Sequence, residues 1–173
     1  MRCRVRLIMS LVGAAMLLLA VPQAAAASEA RSVSPVFWIS SFTEVPHAGS
    51  TLVRLDDDGI AFSFRTRELA PGLPSTLLLV IFNNPSGCSH GEGAFRCGAG
   101  DAVPGGPQQA SVVPVAQKDI GRSGRLVVGG HLAANDASQA LFGPGLPNPE
   151  GADVHLVVRQ SGALVQASVH EAN

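Results

Sequence analysis

The sequence predicts an all-β protein, a mostly antiparallel β-sandwich with one disulfide, and three observations carry that prediction. Short apolar segments alternate with turn signals rich in glycine, proline, asparagine and aspartate. Several of these segments have an apolar residue at every second position, which is the periodicity of a half-buried strand. No long segment has the periodicity of an amphipathic helix. About eight short strands of this kind are typical of a sandwich or a barrel.

The N-terminal 27 residues have the pattern of a secretory signal peptide. Three arginines precede an apolar run of 15 residues at 7–21, and the alanines at 24–27 supply the small residues of a cleavage site. The run is shorter than the about 20 residues that span a hydrocarbon core. We therefore expect cleavage after Ala27, a single domain at 28–173 with no membrane span, and an extracellular or periplasmic location. The alternative is a signal that is kept as an anchor.

The charge of the mature chain argues against nucleic-acid partners. Loss of the signal removes three arginines and changes the formal net charge from −1 to −4. Binding to nucleic acid or to anionic lipid needs clustered lysine and arginine, and the sequence has no basic stripe. Its acidic cluster, Asp56 to Asp58, precedes Gly59 and is interpreted as a hairpin turn rather than as a calcium site.

The first strands are predicted from the alternation of apolar residues. An apolar segment at 36–39 is the first. Segments 51–55 and 60–66 flank the Asp-Gly turn and predict a β-hairpin. The almost wholly aliphatic segment 76–82 predicts a strand that is covered on both faces. It ends at a loop-forming cluster, Asn83 to Gly87.

Further strands follow a region rich in glycine and proline at 86–109, and they are predicted at 111–115, 125–132, 154–159 and 164–169. One helical turn is expected at 137–142, with Asn135 or Asp136 as its N-cap. The periodicity of the strands predicts seven core residues, namely Phe62, Phe64, Leu78, Val80, Val128, Leu156 and Val158.

The two cysteines of the mature chain predict a disulfide. Cys3 leaves with the signal, so Cys88 and Cys97 remain as an even pair that encloses eight residues. The alternatives are a redox pair and a metal site completed by His90. Redox pairs usually have the closer C-x-x-C spacing, which favours a structural bridge.

Five histidines raise the question of a metal site, since sandwiches of the superoxide dismutase architecture hold copper or zinc through histidines on neighbouring strands. His131 and His155 each lie on a predicted strand and are the candidate ligands. No two of the five stand at the i, i+2 spacing that would place a pair on one strand face. We therefore favour ordinary half-buried histidines and expect no metal and no cofactor.

Asp153, His155 and Arg159 share one face of a predicted strand and form a candidate binding surface. The planar fork of an arginine recognises carboxylates through two hydrogen bonds. The competing interpretation makes this face merely solvent-exposed, with the intervening aliphatic residues packed inward. The sequence has no G-x-S-x-G elbow and no phosphate-binding glycine loop before a helix, so it offers no catalytic constellation.

Two blocks of the chain resemble a family of uncharacterised secreted bacterial proteins. One is the aliphatic strand at 76–82 with Asn83-Asn84-Pro85 and the two-cysteine segment that follows. The other is the segment 141–159, which contains a G-A-x-V-H-L-V-V-R-like strand. The layout is also loosely similar to that of the CHRD domain, a β-sandwich of extracellular proteins. The resemblance implies a sandwich fold and export, and it brings no activity.

This chain departs from the family pattern at two places. The aromatic pair of the first block is Leu78 and Leu79 here. The family commonly has a second histidine after the arginine, where this chain has Gln160 and Ser161. A histidine-based site of the family would therefore be incomplete in this member.

Together these observations predict a secreted, non-catalytic binding or structural module, either superoxide dismutase-like or immunoglobulin-like in architecture. Its partner would be an unknown extracellular ligand or a component of the cell surface. The alternative is a histidine-based metal-binding protein or enzyme that uses His131 and His155. A third possibility is a carrier of small ligands, which a large cavity between the sheets would favour.

Overall fold

A computed structural model describes residues 30–38, 40–54, 58–92, 95–160 and 163–169. The predicted signal peptide at 1–27 and the turn residues Asp56 and Asp57 lie outside the described residues. Within the described ranges, no helix is long and apolar enough to cross a membrane.

The described chain forms nine strands in two antiparallel sheets, where the sequence predicts about eight. The strands are β1 (Ala30–Ser34), β2 (Phe37–Trp38), β3 (Gly49–Arg54), β4 (Gly59–Thr66), β5 (Pro74–Phe82), β6 (Ala110–Asp119), β7 (Leu126–Ala133), β8 (Asp153–Gln160) and β9 (Ala163–Val169). The first sheet has the order β1-β3-β4-β7, and the second has the order β2-β9-β8-β5-β6. Every ladder is antiparallel, so the predicted all-β class is confirmed.

The predicted hairpin is β3 and β4, in which Leu52 lies opposite Phe62. Its turn requires the glycine of the Asp-Gly pair. Gly59 has a φ of 121°, and a Cβ there would lie 2.1 Å from the carbonyl oxygen of Leu132. Only glycine adopts such a backbone conformation at this close approach without strain.

The main core lies between the two sheets. It takes alternate residues of β4, β5 and β8, for example Leu77, Leu79 and Ile81 of β5. Five of the predicted core residues are confirmed as buried, namely Phe62, Phe64, Val128, Leu156 and Val158. The prediction is wrong for Leu78 and Val80, which are only half-buried. They occupy the alternate positions of β5, so they lie on the outer face of the second sheet.

The structure differs from the sequence analysis at two further places. The strand β1 is not foreseen by the sequence. The segment 137–142 forms turns and not a helix, although Asp136 does act as a local cap. Its carboxylate accepts a hydrogen bond from the Ser138 N–H at 2.9 Å, which lowers the pKa of Asp136. A single backbone bond from Ala140 to Ala137 closes the turn at 3.0 Å.

Candidate functional site

A pocket of about 520 Å³ opens on the outer face of the second sheet. Its floor consists of side chains from β5, β6 and β8, and its cover is the loop that follows β5. We call it the loop pocket; the described residues that line it are Phe42, Leu78, Val80, Phe82, His90, Glu92, Phe95, Cys97, Gly98, Ala99, Gly100, Ala102, Val112, His155 and Val157. The pocket lies outside the sandwich and not between the sheets, where a cavity would favour a carrier of small ligands.

The aliphatic run of β5 explains why this outer face is apolar. Leu77 and Leu79 pack into the main core, whereas Leu78 and Val80 form part of the pocket floor. The strand is thus covered on both faces, but by different structures. The other sheet covers one face completely, and the loop covers the other face only in part.

The covering loop is closed by the predicted disulfide between Cys88 and Cys97, whose Cα atoms are 5.2 Å apart. Cys97 is fully buried and packs with Phe82 and Ala110 in a small second cluster. The bridge therefore anchors the loop to the outer face of the second sheet as well as closing it.

Asp101 fixes the shape of this loop. Its carboxylate accepts backbone hydrogen bonds from Ser89 at 2.9 Å, His90 at 3.0 Å and Gly98 at 2.9 Å. Nδ1 of His90 lies 2.9 Å from the same carboxylate. Burial, at 3% exposure, would raise the pKa of Asp101, but the hydrogen bonds from Gly98, Ser89 and His90 outweigh it and hold this pKa far below its usual range.

His155 and Asp153 lie together beneath the loop, and both are buried. Nε2 of His155 is 3.3 Å from Oδ1 of Asp153. The imidazole ring meets Phe82 edge-on at a centroid distance of 5.3 Å and lies 6.0 Å from the ring of Phe95. The candidate binding face thus becomes part of the pocket floor at His155, with Asp153 immediately beside it.

Arg159, the third residue of the candidate surface, lies apart from the other two. It is exposed and does not line the pocket. Four residues of extended strand separate it from His155, which is about 13 Å along β8. The structure therefore brings Asp153 and His155 together and leaves the arginine outside.

Phe95 links the loop to two other parts of the chain. Its ring contacts Phe37 edge-on at 5.9 Å and Phe42 at 5.9 Å, in addition to His155. Phe42 and Phe95 form one wall of the pocket, whereas Phe37 contacts Phe95 without lining it. No sequence signal places them together, because Phe42 and Phe95 belong to loops whose proximity depends on the tertiary fold.

His131 and His155, the candidate ligands of the alternative metal site, are not neighbours. His131 is exposed on β7 of the first sheet, whereas His155 lies on the outer face of the second. The main core separates the two side chains. In the described part of the chain, no group of three or more histidine, cysteine, aspartate or glutamate side chains could hold a metal ion.

The arrangement suits binding of a small molecule to an apolar surface. The described lining contains one carboxylate, that of Glu92, two imidazoles, and no lysine, arginine, serine or threonine. Its only cysteine is in the disulfide. No protein-family model, curated protein or solved structure matches this chain.

Proposed function

We propose that this is a secreted, non-catalytic binding protein whose loop pocket takes a small, mainly apolar molecule. The observation that carries the proposal is the pocket of about 520 Å³ with its aliphatic and aromatic walls. Small-molecule sites are typically concave, of about 300–1,000 Å³, and lined by apolar side chains with a few polar groups. His90, Glu92 and His155 are the polar groups here.

The charges around the pocket favour an uncharged or positively charged ligand. The carboxylate of Glu92 lines the pocket, and the carboxylates of Asp101 and Asp153 lie against its two histidines. No described lining residue is a lysine or an arginine. A ligand carboxylate would meet negative charge without a cation to pair with, and this disfavours acidic ligands.

Filling the pocket tests the proposal. Val80→Trp places a large ring on the pocket floor and should weaken binding of the neutral dye N-phenylnaphthylamine by about tenfold or more, a loss of 1.4 kcal/mol or more. Binding is measured as the increase of dye fluorescence. Val33→Trp is the matched control, since Val33 is 70% exposed on β1 of the other sheet. Equal dye affinity of Val80→Trp and the unmodified protein would contradict the proposal.

Competition against the bound dye tests the charge of the ligand. Octylamine, octanol and octanoate share one alkyl chain and differ in the charge of the head group. We expect octylamine and octanol to displace the dye at lower concentrations than octanoate does, because of the carboxylates around the pocket. Displacement by octanoate at the lowest concentration would contradict this expectation.

Export of the protein is supported by the N-terminal pattern and by the disulfide, since such bridges persist in oxidising compartments. The resemblance to secreted bacterial proteins agrees with it. Intact-mass spectrometry of the exported protein should give a chain that begins at Ser28, with a mass two hydrogens below that of its reduced form. A chain that still carries residues 1–27 would contradict cleavage, and free thiols at both Cys88 and Cys97 would contradict the bridge.

A further inference from the structure

A second recess, of about 300 Å³, lies where β4 ends and β7 begins, on the first sheet. It is remote from the loop pocket in the fold, because the loop pocket is on the outer face of the other sheet. We call it the arginine recess; its described lining is His47, Arg65, Thr66, Arg67, Arg125 and Val127. Three guanidinium groups therefore share a small concave surface on a chain whose overall charge is slightly negative.

The strand register explains how the arginines come together. In the β4–β7 ladder, Arg65 lies opposite Val127 and Thr66 lies opposite Leu126. The positions that follow are Arg67 and Arg125. The two segments stay side by side beyond these arginines, since the N–H of residue 69 donates to the carbonyl of residue 124 at 3.2 Å.

Continued by one position beyond the last pair of the ladder, this register places Arg67 across from Arg125. Like charges directly opposite on neighbouring strands destabilise the pair. The ion pairs described between side chains join His90 to Asp101 and His155 to Asp153, and neither uses an arginine of the recess. Glu68 does not line the recess; it lines a neighbouring groove together with Arg122 and with Arg67, which therefore borders both.

We propose that the arginine recess binds a phosphate or sulfate group of a ligand. The planar guanidinium fork matches the oxygens of such a group through paired, charge-assisted hydrogen bonds. A tetrahedral oxyanion between Arg65, Arg67 and Arg125 would neutralise the positive charges that the strand register brings opposite each other. The recess has room for one such group and the part of the molecule next to it. This inference is independent of the loop pocket and of what that pocket binds.

The test is titration with inorganic phosphate, followed by calorimetry or by amide NMR shifts at constant ionic strength. Arg67→Gln and Arg125→Gln should each weaken binding about tenfold, which is the loss expected for one charge-assisted contact of about 1.4 kcal/mol. Arg159→Gln is the control, because Arg159 is an exposed arginine on the second sheet. Binding that is absent, or that all three variants weaken equally, would overturn the proposal.

The stability of the variants separates a binding site from a structural role. At low salt and without phosphate, Arg125→Gln should unfold at a temperature equal to or above that of the unmodified protein, since it removes one of two opposed charges. Added phosphate should raise the unfolding temperature of the unmodified protein by more than that of the variant, since the variant binds it more weakly. A variant that is less stable without phosphate, and stabilised by phosphate as much as the unmodified protein is, would overturn the proposal.

Two probes distinguish the possible sources of the group. Glycerol phosphate represents a soluble ester, and phosphatidylcholine vesicles with or without phosphatidic acid represent a lipid headgroup. Binding to either probe supports the proposal when Arg125→Gln weakens it about tenfold, and it identifies the source. Binding whose affinity is unchanged in Arg125→Gln would overturn the proposal.

Discussion

Replacing Leu156 with alanine is expected to lower the free energy of unfolding by about 2–5 kcal/mol. Leu156 has no exposed surface and lies in the centre of β8, opposite Leu79 of β5. Both strands are in the interior of their sheet, so the surrounding side chains cannot collapse into the space that the truncation leaves. The loss combines the transfer free energy of the removed carbons with the cost of a cavity, and denaturant unfolding measures it.

The matched control is Leu78→Ala, which makes the same chemical change on the neighbouring strand. Leu78 is half-buried and lies on the face that lines the loop pocket. Its truncation enlarges an existing opening instead of creating a cavity, so the expected loss is about 1 kcal/mol or less. Equal losses for the two variants would mean that the outer face is packed as tightly as the core, which would contradict the existence of the pocket.

Replacing Asp101 with asparagine is expected to cost about 3 kcal/mol and to loosen the covering loop. Oδ2 of Asp101 accepts hydrogen bonds from the N–H groups of His90 and Gly98. Asparagine has one accepting oxygen in place of two, so in either orientation of its amide at least one of the backbone N–H groups loses its acceptor. The others lose a charged acceptor, and hydrogen bonds to charged groups are worth about 1.5–3 kcal/mol each. Since His90 and Gly98 also line the pocket, the affinity for N-phenylnaphthylamine should fall together with stability.

The same carboxylate predicts a dependence of stability on pH. Burial acts to raise the pKa of Asp101, and the hydrogen bonds from Gly98, Ser89 and His90 lower it well below the value of about 3.9 expected in the unfolded chain. A group with a lowered folded-state pKa stabilises the protein fully above its unfolded-state pKa, and this stabilisation is lost as the pH falls towards the folded-state pKa. Stability should therefore decline more steeply below about pH 4 in the unmodified protein than in Asp101→Asn.

Asp119→Asn is the control for this measurement, because Asp119 is an exposed carboxylate at the end of β6. Denaturant unfolding at several acidic pH values gives the two slopes. The hydrogen-bonded role of Asp101 would be contradicted if Asp101→Asn and the unmodified protein lost stability in parallel.

The sandwich could be predicted because one rule, the alternation of side chains along a strand, acts locally. In β4, Ile60, Phe62 and Phe64 alternate with small or exposed residues, and the sequence alone identifies the buried face. The rule gives no answer for β5, where both faces are aliphatic. To decide whether Leu77 or Leu78 is the core residue, one must know which face of β5 is fully covered by the other sheet and which is partly covered by the loop. This depends on the tertiary arrangement.

The pocket could be predicted only in part. His155 and Asp153 stand out as polar residues on an otherwise aliphatic strand, and His155 does form part of the floor. Arg159 belongs to the same face of the strand as these two residues, but it lies farther along the strand, where the loop does not cover it. The role of Asp101 could not be predicted from the sequence, because its partners are backbone N–H groups, which every residue except proline carries.

The arginine recess shows the same limit. Arg67 and Arg125 are far apart in the sequence, and each alone is an ordinary exposed cation. Only the register of β4 against β7 places them across from each other. A one-residue shift of that register would send one of them to the opposite face.

The main core does not include the covering loop, which rests on its own small cluster of Phe82, Cys97 and Ala110. The packing of the sheets and the packing of the covering loop are therefore separate within one domain. Side-chain changes in the loop are expected to alter the lining of the pocket while the core between the sheets stays the same.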